Sequence, residues 1–289
     1  MKQYKAIFFD WDGTAVLSRK APVDQVAGRM KQLLGQGICL AIISGTTMEN
    51  IGGGTLFQFF TDEERKNLFY GLGRGAYNYR FTDQGQPEQF CSTVPDRETM
   101  AKVHRACYEI HEHLFLQYGF PTDVVFSRPN YCKLDLMVDS DRGENLFFQD
   151  DELSRLKESL ARHGITGGLT SLLELADRAG KNQGIELSST TDAKYLEAGL
   201  TSKSHNVDAI LDYLRQSRGI LPEECAFWGD EYVGMDEGLY GSDSFMITEQ
   251  SMAGDFFDVS KASGKRPGQV TVLGGGVERF MEFLDGQSM

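Results

Sequence analysis

Positive charge is scarce in this sequence. Its 289 residues include 29 Lys and Arg against 42 Asp and Glu, which gives a formal net charge of −13. Binding to the phosphate backbone of nucleic acid draws on clusters of Lys and Arg, and this sequence has no such cluster. We therefore expect no nucleic-acid partner, and a small phosphate ligand would need a metal cation to attract it locally.

Long hydrophobic runs are also missing. No apolar stretch comes near the roughly 20 residues needed to cross a bilayer. A content of 40% hydrophobic and 25% charged residues is typical of a soluble globular protein. The first residues, MKQYKAIFFD, hold only a short apolar run that ends in an acid, which is unlike a signal peptide. We therefore expect a cytoplasmic protein with no membrane partner.

Closely spaced cysteines are absent as well. The five cysteines are an odd number and lie far apart, at Cys39, Cys91, Cys107, Cys132 and Cys225. There is no CxxC pair and no HExxH motif, so we predict reduced cysteines with neither a disulfide framework nor a zinc site.

What the sequence does contain is a strand–helix–strand pattern near its N-terminus. YKAIFF (4–9) and ICLAII (38–43) are apolar runs typical of buried parallel strands. Between them, apolar residues recur at helical spacing and two glycines follow. This pattern predicts a βαβ unit.

The rest of the chain divides into a continuation of this pattern and a different middle part. Further strands of the same kind are predicted at 68–72, 225–228 and 245–247. The middle part has a helix near 97–118, a strand near 131–139, a helix near 150–163 and a loop at 167–171. We therefore predict an α/β protein: a Rossmann-like parallel-sheet core, 1–81 and 189–289, with an inserted α+β cap domain, 82–188.

Polar residues follow several of the predicted core strands. Asp10, Asp12, Ser44 and Asp230 all lie at such strand ends, and ligands of open parallel sheets bind outside the carboxyl ends of the strands. Lys203 joins them if the next helix begins near it. Three carboxylates in one cleft repel each other unless a cation holds them, and oxygen ligands suit Mg²⁺. The grouping predicts a magnesium site that shares its ligands with a phosphate.

Four motifs carry a resemblance to a known family. FFDWDGT, IISGT, TSKS and FWGDEYVGMD resemble, in this order, the four motifs of the haloacid dehalogenase superfamily. The long insertion between the second and third motifs is similar to that of the sugar-phosphatase and phosphomannomutase-like members with an α/β cap. The resemblance covers 4–80 and 195–250, and the cap is matched only in position and length.

The resemblance implies roles for the two aspartates of the first motif. Asp10 would be the nucleophile that takes the phosphoryl group as an aspartyl phosphate and would ligate Mg²⁺ with its other oxygen. Asp12 would protonate the leaving alcohol and then deprotonate the attacking water, and its backbone carbonyl would reach the metal. Strand alternation directs both carboxylates to one side, with Trp11 on the other, and Gly13 lets the backbone turn away.

The same resemblance implies the phosphate-binding and metal-binding groups. Ser44 and Gly45 would bind phosphate oxygens, Lys203 would balance the charge of the nucleophile and the phosphate, and Asp230 would be the third protein ligand of the metal. The second motif reads SGTT rather than the SGR common among sugar phosphatases. An arginine contact is therefore not expected there.

The fourth motif departs from the family pattern. Such motifs commonly read GDxxND, but Val233 and Gly234 stand in the last two places. Glu231, Asp236 or Asp243 would supply the second acid, and Asp236 is our choice among them.

Substrate specificity is expected to come from the cap, because the core motifs recognise only phosphate and metal. Alternation in NYCKLDLMVDS places Cys132, Leu134, Leu136 and Val138 on one face, to pack against helices. Lys133 and Asp135 lie on the other face, which either closes over the cleft, where both would hydrogen-bond sugar hydroxyls, or points to bulk water.

Three functions are consistent with the sequence. The first is a Mg²⁺-dependent phosphomonoesterase that hydrolyses a small phosphorylated metabolite, a sugar phosphate by resemblance. The second is a phosphomannomutase-like phosphomutase, which would use the same aspartates but return the phosphoryl group to the sugar. The third is a phosphate-ligand sensor without activity, which the presence of both aspartates, the lysine and the distal acid disfavours.

Overall fold

Residues 2–140 and 150–288 are described by a computed structural model of the chain. In chain order the strands are β1 Ala6–Phe9, β2 Cys39–Ile43, β3 Leu68–Leu72, β4 Tyr77–Phe81, β5 Pro87–Ser92, β6 Asp123–Val125, β7 Tyr131–Asp135, β8 Thr190–Thr191, β9 Tyr195–Gly199, β10 Cys225–Gly229, β11 Gly234–Asp236, β12 Leu239–Tyr240, β13 Asp255–Asp258 and β14 Val270–Val272. The α-helices are α1 Asp24–Gly35, α2 Asp62–Arg65, α3 Arg97–Tyr118, α4 Asp150–Arg162, α5 Gly168–Asn182, α6 Lys203–Arg218 and α7 Gly276–Gln287. No helix in these two ranges is long and apolar enough to span a bilayer.

The larger sheet has eight strands in the order β14-β13-β10-β1-β2-β3-β4-β5. Strands β14 through β3 run parallel, and β4 and β5 are added antiparallel. The inner strands are apolar on both faces because each face is covered: α1 and α7 pack on one side and α6 on the other. The predicted α/β core with a mainly parallel sheet is confirmed.

The sheet brings distant parts of the chain to one edge. Strand β1 pairs with β2 on one side and with β10 on the other, all three parallel. Asp10 follows β1 directly, Ser44 follows β2, and Asp230 follows β10. Since the carboxyl ends of parallel neighbours lie at the same edge, these three residues lie close together although they are far apart in sequence.

The smaller sheet has the strand order β6-β7-β9-β8 and is antiparallel throughout. Helices α3 and α5 cover one face, where Cys132, Leu134 and Leu136 are buried with residues of β9. This packing is the one predicted for the three residues. Val138 was predicted on the same face, but β7 ends at Asp135 and Val138 is exposed.

The observed strand pairing indicates limits of the cap that differ from the predicted ones at both ends. Strand β5 was assigned to the cap but is hydrogen-bonded to β4 in the large sheet. Strands β8 and β9 both follow the predicted end of the cap at 188, but both belong to the small sheet. We therefore propose a cap that begins after Ser92 and ends after Gly199, later than 82 and 188.

Two predicted elements are wrong. The segment 245–247 is not a strand: it overlaps a 3₁₀ turn, Ser242–Met246, because Asp243 within that turn is drawn into the interior, where it binds backbone N–H groups. The segment 167–171 is not a loop either, since α5 begins at Gly168. Its apolar residues, spaced as on a helix, are buried against α3, and this packing outweighs the two glycines at its start.

Candidate active site

The first acidic motif lies in a tight turn at the end of β1. The backbone N–H of Val16 donates to the carbonyl oxygen of Trp11 at 3.0 Å. Gly13, within the turn, has a φ of +92°, which is unfavourable for any residue with a Cβ atom. The Trp11 side chain is fully buried in the apolar core, whereas Asp10 and Asp12 line a cavity. The turn therefore presents both carboxylates to the same space.

Lys203 connects two of the carboxylates. It is the first residue of α6, and its Nζ lies 2.6 Å from Oδ1 of Asp10 and 2.7 Å from Oδ1 of Asp243. The other oxygen of Asp243 accepts hydrogen bonds from the backbone N–H groups of Asp230, at 2.9 Å, and Glu231, at 2.7 Å. Asp243 is fully buried, so it orients both the lysine and the loop after β10.

Asp230 lies directly against the turn of the first motif. Its Oδ1 accepts a hydrogen bond from Oγ1 of Thr14 at 2.9 Å. A Cβ atom at Gly13 would stand only 2.2 Å from its Oδ2, so the carboxylate can lie here only because residue 13 has no side chain. The loops after β1 and β10 are thus fitted to each other.

Ser44 and Gly45 form the third wall. Both line the cavity directly after β2, and the Ser44 hydroxyl accepts a hydrogen bond from the backbone N–H of Thr46 at 3.3 Å. Thr46 stands where many sugar phosphatases would have an arginine, and it lines the same cavity.

The cavity itself lies between the core edge and the uncovered face of the small sheet. It has a volume of about 200 Å³. Its core side includes Asp10, Asp12, Arg19, Ser44, Gly45, Arg74 and Lys203. Its cap side includes Arg128, Asn130, Tyr131, Lys133, Thr190, Asp192 and Glu197.

Comparisons with known proteins identify this architecture. No protein-family model matches the sequence, and no curated protein matches it. Among solved structures, the IMP-bound IMP-nucleotidase of Plasmodium falciparum superimposes with a TM-score of 0.60 at 12% identity, over 99% of this chain and 68% of that one. A trehalose-6-phosphate phosphatase of Aspergillus fumigatus superimposes with a TM-score of 0.56 at 13% identity, over 99% of this chain and 93% of that one. Both are haloacid dehalogenase superfamily phosphatases.

The chain has the haloacid dehalogenase fold. The resemblance inferred from the four motifs is thereby confirmed at the level of fold. The chain spans 68% of the N-terminally truncated nucleotidase, 62% of the nucleotidase without that truncation, and 93% of the trehalose-6-phosphate phosphatase.

Carboxylates outnumber cationic side chains at the edge of the large sheet, where the four motifs meet. Burial raises the pKa of Asp10 well above its usual range, Lys203 opposes that shift, and Asp243 adds to it. Burial also raises the pKa of Asp230, with Asp243 and Asp10 contributing. Burial, followed by repulsion from Asp243, raises the pKa of Glu231 to about 7, and Lys203 opposes this shift. A divalent cation would relieve this shared repulsion.

The residues present fit Mg²⁺ for two reasons. Negative charge exceeds positive charge at the site, and the available donor atoms are all oxygens. Across residues 2–140 and 150–288, no three His, Cys, Asp or Glu side chains form a metal-binding group. The fit therefore depends on the ligand set that the resemblance implies. These ligands are the side chains of Asp10 and Asp230 and the backbone carbonyl of Asp12. In addition, Oδ1 of Asp12 is buried without a hydrogen-bond partner among the described residues, which marks this turn as incomplete.

The choice of Asp236 as the second acid is not supported. Asp236 ends the short strand β11 and lies 3.7 Å from Nζ of Lys157 on the cap, and it does not line the cavity. Asp243, another of the three candidates, instead contacts Lys203 and the backbone N–H groups of Asp230 and Glu231. The sequence concealed this because the acid comes from a turn thirteen residues after Asp230, beyond the end of the expected motif.

The structure separates the two cap residues predicted to contact substrate. Lys133 lines the cavity, and its Nζ lies 2.6 Å from Oε1 of Glu197. Asp135 does not line it, because its carboxylate pairs with Nζ of Lys194 at 2.8 Å and accepts a hydrogen bond from the backbone N–H of Met137.

Among the cavity residues that were not found from the sequence are Arg19, Arg74 and Glu197. Arg19 donates to Oδ2 of Asp12 at 2.9 Å from a segment without helical or strand periodicity. Arg74, which is buried, forms an ion pair at 3.1 Å with the partly buried Glu197, between core and cap. The only sequence signal for Arg74 is its position between two glycines, GRG, in the turn that follows β3.

Proposed function

We propose that this chain is a Mg²⁺-dependent phosphomonoesterase that hydrolyses a small phosphorylated metabolite, a sugar phosphate, through an aspartyl phosphate on Asp10. The observation that carries the proposal is the contact of Lys203 with both Asp10 and Asp243 at the edge of a cavity that Asp10 and Asp12 line. A lysine that a second buried acid holds against the nucleophile can balance negative charge during phosphoryl transfer. A buried ion pair of this kind contributes little net folding stability, so folding alone does not explain it.

Electrostatics explain why the nucleophile needs these partners. A carboxylate that approaches a phosphate dianion to ~4 Å meets about 8 kcal/mol of repulsion at an effective dielectric constant near 20. Lys203, at 2.6 Å from Asp10, offsets part of this repulsion. Mg²⁺ held by Asp10, Asp230 and the Asp12 carbonyl would supply the remaining positive charge and polarise the phosphoryl group.

The chemistry proceeds in two steps in this proposal. Lys203 donates to Oδ1 of Asp10, so Oδ2 is the atom that bonds to phosphorus while the bond from phosphorus to the ester oxygen breaks. Asp12 gives its proton to the departing oxygen. Water then attacks phosphorus, Asp12 takes a proton from it, and the bond between Asp10 and phosphorus breaks to release inorganic phosphate.

The sugar substrate is proposed from the cap side of the cavity. That wall presents lysine, arginine, asparagine, threonine and carboxylate side chains, which hydrogen-bond to hydroxyl groups. A nucleoside monophosphate is the comparison substrate, because one of the structural neighbours is a nucleotidase.

The test is a panel of sugar phosphates, nucleoside monophosphates and p-nitrophenyl phosphate, assayed with Mg²⁺ and with EDTA. We expect Asp10→Asn to lower turnover more than a thousandfold while preserving the fold, because it removes the attacking charge and little volume. Asp236→Asn, outside the cavity, is the matched control and should keep wild-type activity. Acid quenching followed by mass spectrometry should find the phosphoryl group on Asp10.

Other results would reject the proposal. If Asp10→Asn keeps more than about a tenth of the wild-type rate, Asp10 is not a covalent nucleophile. If a hexose 1-phosphate yields the 6-phosphate instead of inorganic phosphate, the chain is a phosphomutase. If no ester is turned over and phosphate ligands only raise the unfolding temperature, the chain is a sensor.

A further inference from the structure

Three residues form a row across the uncovered face of the small sheet. Lys133 of β7 lies directly opposite Glu197 of β9, and Glu197 lies directly opposite Thr190 of β8. Residues directly opposite each other in an antiparallel sheet point to the same face, and all three line the cavity. The cap therefore presents a cation, an acid and a hydroxyl side by side to the proposed substrate.

The core side chain of Arg74 reaches this row. Arg74 lies in the turn between β3 and β4, at a φ of +56° that is rare outside glycine, and only 4% of it is exposed. Its Nε lies 3.1 Å from Oε2 of Glu197, and its Nη2 donates to Oγ1 of Thr190 at 2.9 Å. It also donates to the carbonyl oxygens of Ser188, at 2.6 Å, and Thr201. One guanidinium thus binds two side chains and two backbone segments of the cap and its exit.

The same turn holds both chain connections between core and cap. At the entry, Oγ1 of Thr93 donates to the carbonyl oxygen of Gly75 at 2.7 Å. At the exit, Oγ1 of Thr201 donates to the carbonyl oxygen of Arg74 at 2.8 Å. A movement of the cap relative to the core must therefore change the contacts of this turn.

Glu197 links the two cations through different oxygens. Its Oε2 contacts Arg74 and its Oε1 contacts Nζ of Lys133 at 2.6 Å. Burial alone would raise the pKa of Glu197, but Lys133 and then Arg74 lower it, so the carboxylate stays ionised between them. The position of Lys133 is thereby tied to a core residue.

We propose that Arg74 is a positioning residue that couples the seating of the cap to the placement of Lys133, a cation on the substrate-facing wall. The proposal builds on the proposed phosphatase function. With the cap seated, Arg74 fixes Glu197, and Glu197 fixes Lys133 over the cavity. With the cap displaced, Glu197 loses Arg74, and Lys133 loses its fixed partner. The coupling makes recognition of the alcohol portion of a substrate depend on cap closure.

The test compares Arg74→Met with Arg80→Met. Arg80 is a control of equal length on the adjacent strand β4, and it pairs with Glu88 at 2.7 Å outside the cavity. The first measurement is amide hydrogen exchange, which needs no substrate. We expect exchange over 188–202, where the N–H of Ser188 donates to the carbonyl of Gly199, to be at least about tenfold faster in Arg74→Met and unchanged in Arg80→Met.

The second measurement is kinetic. For Arg74→Met we expect kcat/KM for the best sugar phosphate to fall by about tenfold to a hundredfold, while the value for p-nitrophenyl phosphate, which has no hydroxyls to bind, stays within about threefold. Arg74→Lys should not restore the loss, because one ammonium group cannot replace a planar fork with several partners. In the double variant Arg74→Met with Glu197→Gln, the second change should add little, since both remove the same link.

The outcomes separate this inference from the proposed function. Faster exchange together with a selective loss on the sugar ester supports the coupling. Unchanged exchange, or faster exchange with equal losses on both substrates, overturns it. If the wild-type protein turns over no ester, the proposed function is refuted. The difference in hydrogen exchange between Arg74→Met and Arg80→Met still tests whether Arg74 holds the cap, because it needs no substrate. If Arg74→Met does not fold, Glu197→Gln, which keeps the volume of the side chain, replaces it in both measurements.

Discussion

Gly13→Ala tests how closely the loops after β1 and β10 are fitted to each other. The new methyl carbon would lie 2.2 Å from Oδ2 and 2.6 Å from Cγ of Asp230, about 1.2 Å closer to that oxygen than the 3.4 Å at which ordinary contact begins. The carboxylate is held in place because its Oδ1 accepts a hydrogen bond from Thr14, and a retreat from the new methyl group would strain or break that bond. We therefore expect the substitution to damage both stability and the proposed metal site.

The magnitude follows from two contributions. Forcing an L residue to a φ of +92° adds roughly 1–3 kcal/mol of backbone strain. The steric clash of the methyl group with the Asp230 carboxylate adds roughly 1–3 kcal/mol more. The free energy of unfolding should therefore fall by about 2–6 kcal/mol. A displacement of a catalytic group by about 1 Å also lowers the rate by about a hundredfold.

Urea unfolding and Mg²⁺-dependent kinetics measure the two effects separately. Gly13→Ala should lower the urea midpoint, lower kcat by about a hundredfold and raise the Mg²⁺ concentration needed for half-maximal rate. Gly28→Ala is the matched control: a Cβ atom at this exposed position within α1 meets nothing within 4 Å. It should stabilise the protein by up to about 1 kcal/mol, because alanine favours helix over glycine, and leave kinetics unchanged.

One result would refute this reasoning. If Gly13→Ala unfolds at the wild-type urea concentration and responds to Mg²⁺ as the wild type does, then Asp230 is free to move and its placement against the turn is not needed. Lower stability with unaltered Mg²⁺ response would retain the steric argument and remove Asp230 from the metal site.

Three further predictions concern the carboxylates and the cap. Asp12→Asn should reduce hydrolysis of alkyl phosphates more than that of aryl phosphates, whose leaving groups need no proton; equal losses would give Asp12 another role. Asp243→Asn should lower the free energy of unfolding by about 3 kcal/mol in urea titration, since it leaves buried Lys203 with one acid instead of two. Lys133→Ala should lower kcat/KM for the best sugar phosphate about tenfold to a hundredfold, whereas Asp135→Ala, paired with Lys194 outside the cavity, should leave it unchanged.

The core could be predicted from the sequence because its signals are local. Buried parallel strands are continuous apolar runs, and 68–72 and 225–228 were located to within a residue for this reason. Asp10 and Asp230, which follow β1 and β10, can be assigned to one edge by topology alone. The long helix α3 was also predicted at its observed bounds, since an aspartate caps its start and a left-handed glycine ends it.

The missed features depend on contacts between distant residues. Asp243 acts through hydrogen bonds to the N–H groups of Asp230 and Glu231, and no pattern around it distinguishes it from Asp236. Asp135 pairs with Lys194 within the cap, whereas Lys133 lines the cavity that forms where the cap meets the core. Strand alternation places both on one face and says nothing about which of them the cavity reaches.

The position of β1 in the large sheet has a consequence for how the chain is made. Its two neighbours are β2, which follows it soon in the sequence, and β10, which is synthesised only after the whole cap. While the ribosome completes the cap, one edge of the apolar strand Ala6–Phe9 has no partner, and an unpaired strand edge invites association with other chains. The strands of the small sheet are contiguous in the chain, so the cap can close its own sheet first. Chaperones that bind nascent chains are therefore expected to engage this protein during the interval between β2 and β10.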